Sequence, residues 1–152
     1  RMAIYIELED KTDYTGSCFD ELDVMLVNLK KEALRYMNNH LITEDDYYYE
    51  YMQMRARQCV ILKRIYADII RLTTTPEQGK ALADFIRQTA DEFAEQNNVE
   101  TLLSELETLH HYYEQQPLPV TRQEFENRSM LYHILEDMKA FLDIKKDFIT
   151  AR

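Results

Sequence analysis

Backbone breakers are scarce in this chain, which has 2 Gly and 3 Pro among 152 residues, well under the average usage of about 7% and 5%. Their scarcity favours long helices joined by short connectors. No segment alternates as a strand would. Cysteine is scarce too, and Cys18 and Cys59 form no Cys-x-x-Cys or Cys/His pattern. That excludes a disulfide scaffold and a structural zinc site, and it fits a reducing compartment. No apolar run of about 18 residues exists, and no charged start leads into a short apolar stretch, so this stretch is expected neither to cross a membrane nor to carry a signal peptide.

Positive charge is in deficit, with 18 Lys and Arg against 28 Asp and Glu for a net charge of −10. Such a field repels polyanions, so nucleic-acid binding would need a concentrated basic patch. Lys30-Lys31 and Lys145-Lys146 are pairs only, flanked by acids and read as solvated helix faces. Nucleophile motifs are missing as well. There is no Gly-x-Ser-x-Gly, no Gly-rich phosphate loop, and no base marked to activate Cys59, whose place on an apolar stripe makes it a core thiol. The chain is therefore not expected to be an enzyme, and no cofactor is expected.

What is present is helical periodicity. Residues 1–16 are ambiguous between a short helix and an extended lead-in from an upstream region, and residues 17–152 are expected to form one helical-bundle domain. Phe19, Leu22, Leu26, Leu29, Ala33 and Tyr36 step by three and four along a first helix. A second opens with Thr43 as cap, Asp46 answering it and Ile42 stapled to Tyr47. It carries two stripes, one of Tyr48, Met52, Arg55, Cys59, Leu62, Tyr66 and Ile69, the other of Tyr51, Met54, Gln58, Ile61, Ile65 and Leu72.

Thr75-Pro76-Glu77-Gln78 opens a third helix with Leu82, Phe85, Ile86 and Phe93 on its buried side. Asn97-Asn98 ends it, and Val99, Leu102, Leu106, Leu109 and Tyr113 form a fourth stripe. After Pro117-Leu118-Pro119, Thr121 caps a last helix, with Glu124 closing the box and Val120 stapling onto Phe125. The expectation is an all-α, antiparallel up-and-down bundle of about five helices.

Chemistry-bearing constellations are few. Glu107 and His110 make one Glu-x-x-His step, but a carboxylate-bridged metal bundle needs two, and His40, His111 and His133 follow Met37, Thr108 and Met130 instead. No metal site is expected. Two cations interrupt apolar faces, Arg55 and Arg128. Either makes an inter-helix ion pair with Glu126 or Glu50, or it clamps an anion. In the second reading, Arg55 or Arg128 holds an aromatic carboxylate while Tyr48 and Tyr51, within the Tyr47–Tyr51 cluster, stack on its ring.

The segment Leu118-Pro119-Val120-Thr121-Arg122-Gln123-Glu124-Phe125-Glu126-Asn127-Arg128-Ser129-Met130-Leu131, continuing to Phe141-Leu142-Asp143-Ile144-Lys145, resembles the terminal helix of the cytoplasmic C-terminal domain of bacterial aromatic acid exporters, relatives of fusaric-acid-resistance transporters. The resemblance implies a domain on the cytoplasmic face of the membrane, partnered with a membrane-embedded N-terminal half of the same protein. It acts there by helix packing, self-association as a homo-oligomer, or regulation. A chain starting at Arg1 with Met2 behind it is expected to be part of a longer one. Thr121, Glu124, Phe125, Glu126, Asn127 and Arg128 carry the motif, and a helix-packing role is expected for Glu126, Asn127 and Arg128. The alternative is a free-standing helical module that grips a partner helix or peptide.

Overall fold

A computed structural model describes residues 1–39, 46–73, 77–93 and 99–151 of the chain. Among them lie six helices and no strand: α1 (Met2–Glu7), α2 (Ser17–Asn39), α3 (Tyr47–Ile69), α4 (Glu77–Glu92), α5 (Glu100–Glu114) and α6 (Arg122–Thr150). The expected caps at Thr43 and Thr75, the staple at Ile42, the N1 proline Pro76 and the break at Asn97-Asn98 lie outside the described residues.

The expected helices form, and α1 joins them. Ambiguity in its period is resolved by burial, because Ile6 is fully enclosed and Ala3 nearly so, both against the common core. Six residues cannot hold a helix alone. Tertiary contacts hold this one: Glu7 pairs with Arg87 of α4, and Lys11 Nζ donates to the Leu72 carbonyl at 3.2 Å. Tyr5 stacks on Tyr14 at 4.1 Å, and Tyr14 accepts from the Tyr66 hydroxyl at its carbonyl, 2.7 Å away. Gly16, at φ +69°, turns the chain into α2, and a Cβ there would come within 2.9 Å of the Tyr66 ring, so only glycine fits.

The long pair α3/α6 forms the spine. Its partners run in opposite order, Thr73 with Asn127, Arg64 with Asp137, and Gln58 with the Phe141 carbonyl, which makes the pair antiparallel. On α6, Leu131, Ile134, Leu135, Met138, Phe141 and Leu142 form a continuous buried face. They meet Ile61, Ile65 and Ile69 of α3, Leu82 and Phe85 of α4, and Leu102 and Leu106 of α5 in one core. Each such aliphatic side chain contributes about 1.5–3 kcal/mol by leaving water.

Neighbours in sequence are mostly neighbours in space, as the short connectors predict. The exceptions are α1 with α2, and α3 with α4, the latter two being bridged by α1 and α6, which each contact both. Of the two α3 stripes, the second forms the core side with Met54, Gln58, Ile61, Ile65 and Leu72, joined by Cys59 and Ile69. Tyr48 is 60% exposed. At α2, Phe19 is buried but Leu29 and Tyr36 are not, since among the described residues this helix packs on α3 alone.

The start of α6 follows its punctuation in part. Thr121 Oγ1 accepts from the Glu124 N–H at 3.1 Å, and Glu124 Oε2 accepts from the Val120 N–H at 2.9 Å. That hydrogen bond, with Arg128 beside it, lowers the Glu124 carboxyl from its ordinary value. The expected staple does not close: Val120 is 90% and Phe125 61% exposed, so among the described residues neither is covered.

Candidate functional site

The distinctive chemistry lies where the start of α3, the end of α4 and the end of α6 meet. Arg55 is half-buried on α3. Its Nε and Nη2 donate to the Tyr51 hydroxyl at 2.9 and 2.6 Å, and its Nη1 donates to Gln58 Oε1 at 3.2 Å. Gln58 is itself fixed by donating to the Phe141 carbonyl at 2.9 Å. Of the five guanidinium donors these bonds use three, leaving one N–H on each terminal nitrogen, the pair that a carboxylate can accept bidentately.

Neutral oxygens hold Arg55, and among the described residues it forms no ion pair. The expected salt bridge to Glu50 or Glu126 is replaced by these bonds and by aromatic packing. Its guanidinium carbon sits 4.9 Å from the centroids of both the Tyr51 and the Phe93 rings, and such contacts are worth roughly 0.5–2 kcal/mol each.

Lys145 of α6 corrects the expectation of a solvated lysine pair. Its neighbour Lys146 is exposed, whereas Lys145 is 1% exposed, with Nζ 4.3 Å from the centroid of the same Phe93 ring. Two cations therefore converge on one phenyl ring in an acidic chain. Other rings wall the place: Tyr47 stacks on Tyr51 at 5.9 Å, and Phe148 meets both, at 5.6 and 5.9 Å.

Sequence reasoning placed Arg55 with Tyr47 and Tyr51 and missed Phe93, Lys145 and Phe148 as members of the same cluster. The i, i+4 relation of Tyr47 to Tyr51 was available. So was the position of Lys145, three residues after Leu142 and three before Phe148, on the buried face of α6. Tyr48 does not belong, since it points to solvent and touches Tyr47 edge-on at 5.4 Å.

Arg128 is not part of this place either. It lies about 25 Å from Lys145 along α6, at 1.5 Å per residue. There it pairs with Glu124 of its own helix rather than with Glu126 or Glu50, and donates to the Pro117 carbonyl. A small pocket of about 100 Å³ adjoins it, lined by Gln78, Tyr113, Gln116, Leu131 and Tyr132.

The histidines form a separate surface. His110 Nε2 lies 3.1 Å from Glu136 Oε1 and 3.0 Å from the Tyr132 hydroxyl, along a groove of about 700 Å³ between α5 and α6. Among the described residues no group of three or more His, Cys, Asp or Glu is placed to hold a metal ion. Cys59, with Asp23 Oδ1 3.7 Å from its sulfur, has its thiol pushed up chiefly by burial, which suits packing rather than nucleophilic attack.

Residues 1–146 match the sequence profile of the family described as "Putative aromatic acid exporter C-terminal domain". The chain belongs to this family. It is an exporter-associated domain family, not an enzyme class. The chain is 31% identical over 151 residues to the uncharacterised protein YqjA of Bacillus subtilis (strain 168), and the match spans 96% of the chain but 47% of that relative's length. It also resembles the crystal structure of a putative membrane protein from Clostridium difficile 630, with a TM-score of 0.83 and 29% identity, over 98% of the chain and 88% of that one. Among the described residues no helix is long and apolar enough to cross a membrane.

In this exporter-family domain one residue of the terminal motif, Asn127, serves the joint between α3 and α6; the expected packing role does not extend to Glu126, which is exposed. Asn127 is 1% exposed, and its Oδ1 accepts from the Thr73 N–H at 3.0 Å. Arg128 ties the turn before α6, Thr121 and Glu124 cap the helix, and Glu126 and Phe125 face solvent.

Proposed function

We propose that this domain is the cytoplasmic accessory part of an exporter of aromatic acids, regulating a membrane-embedded N-terminal half, and that it reads the exported class of compound at the Arg55 cluster. The observation that carries this reading is the convergence of the Arg55 guanidinium and the Lys145 ammonium on the Phe93 ring. An aromatic carboxylate offers the matching pair of features. Its acid accepts the remaining terminal N–H groups of Arg55, and its ring stacks within the walls formed by Tyr47, Tyr51 and Phe148. The surrounding net charge of −10 makes the bulk potential unfavourable to anions, so selectivity rests on these two local cations.

Family membership supports the link to export, and the chain's 47% share of its curated relative leaves room for a membrane half. The test uses the full-length protein in cells challenged with an aromatic acid. Arg55→Ala should raise intracellular accumulation toward the level seen without the protein, with the amount of protein unchanged. Accumulation identical to the unaltered protein would reject a regulatory role for this site.

A further inference from the structure

The turn that leads into α6 holds large apolar side chains out in water. Leu118 is 87% exposed and Val120 90%, and Phe125 follows on the first turns of the helix at 61%. Apolar side chains exposed together in this way mark a contact surface. Their exposure is built in. Leu118 lies between Pro117 and Pro119, whose rings fix their own backbone and hold the residue ahead of each in extended form. The turn is also clasped on both sides of Leu118. Arg128 Nη1 donates to the Pro117 carbonyl, the Val120 N–H donates to Glu124 Oε2 at 2.9 Å, and Arg128 Nη2 closes the clasp on Glu124 Oε1.

Charge at the turn differs from that of the chain as a whole. The clasp takes up both Glu124 oxygens, while Arg122, between Val120 and Phe125, is exposed. Glu126 is exposed one turn further along α6, and the net charge is −10. A broadside approach to an anionic surface is therefore disfavoured, and an approach that leads with the turn is the one left.

We propose that this turn docks on the lipid surface of the membrane, with Leu118 and Val120 entering the boundary between headgroups and acyl chains and Arg122 meeting headgroup phosphates. A fluid bilayer closes around projections of any shape, whereas a protein partner needs a hole matched to each. The inference rests on the reading that a membrane-embedded half belongs to the same protein. That half holds the domain beside the bilayer, so a shallow contact suffices.

The chain has no tryptophan, so Leu118→Trp puts a single fluorescent reporter in the turn. With vesicles of equal parts phosphatidylethanolamine and phosphatidylglycerol at millimolar lipid, its emission should shift to the blue and be quenched by brominated acyl chains. Tyr48→Trp should do neither. It lies at the far end of the spine, where Tyr47 meets Phe148, roughly 40 Å along α6 from Arg122. In the Leu118→Trp chain, Val120→Asp should weaken vesicle binding at least about tenfold, with the helical circular dichroism unchanged because that side chain is exposed. Arg122→Glu should weaken it at least about fivefold. Leu118→Trp emission that stays at its value in water would overturn the proposal and leave the turn to a protein partner. Equal shifts for Leu118→Trp and Tyr48→Trp, or binding indifferent to Val120→Asp, would overturn it as well. The vesicle result is independent of the accumulation assay, so an unshifted reporter beside an Arg55→Ala effect in cells would overturn the membrane contact and leave the regulatory reading standing.

Discussion

Asn127 Oδ1 accepts the Thr73 N–H at 3.0 Å, joining the segment after α3 to the first turns of α6 across 54 residues of sequence. The amide is enclosed, and its Nδ2 also donates to Thr73 Oγ1 at 3.2 Å. Asn127→Ala removes an enclosed amide together with both of its bonds to Thr73, a loss of about 1–3 kcal/mol. Urea unfolding should show the midpoint falling by that loss divided by the slope, with the slope itself unchanged. An Asn127→Ala chain as stable as the original would remove the motif's structural role.

Ile6 makes α1 a member of the core rather than a tether. It is fully buried on a helix that packs against α4 and α3, so Ile6→Ala should cost about 2–5 kcal/mol. Ile4, on the same short helix, is 52% exposed, and Ile4→Ala should change stability by less than about 0.5 kcal/mol. Equal effects of the two substitutions would mean that α1 does not pack as described.

Asp68 is held in a place that disfavours its charge. Burial raises its carboxyl above the ordinary value, against the weaker pull of His133 and Arg71. A carboxyl whose folded pKa is raised contributes stability that is present below its unfolded pKa and lost as pH rises through the folded one. Asp68→Asn should therefore raise the melting temperature at neutral pH, and the advantage should vanish on titration down through the carboxylate range. A gain that is independent of pH would point to packing instead.

Helix identity was legible in the sequence because each apolar stripe is long and bounded. Thr121 and Glu124 predicted the α6 cap for a local reason, since both partners lie within four residues. The failures are non-local. Val120 and Phe125 have staple spacing, but whether they are covered depends on a helix elsewhere in the chain. Lys145 looked solvated beside Lys146, yet its place on the buried face of α6 put it against Phe93, which directly follows α4. Arg55 was recognised as out of place on an apolar face. Its actual partners, Gln58 and Phe93, depend on the way α6 lies between α3 and α4.

Titration calorimetry of the 152-residue chain with 4-hydroxybenzoate is the most direct measurement. One-to-one saturable heat is expected in the original chain. Arg55→Ala should lose it, Lys145→Met should weaken it at least tenfold through loss of the second cation, and Arg128→Ala, some 25 Å away along α6, should bind as the original does. Acetate, which has the acid and no ring, should give no saturable heat. Absence of heat at millimolar 4-hydroxybenzoate, or unaltered binding by the Arg55→Ala chain, would contradict the account.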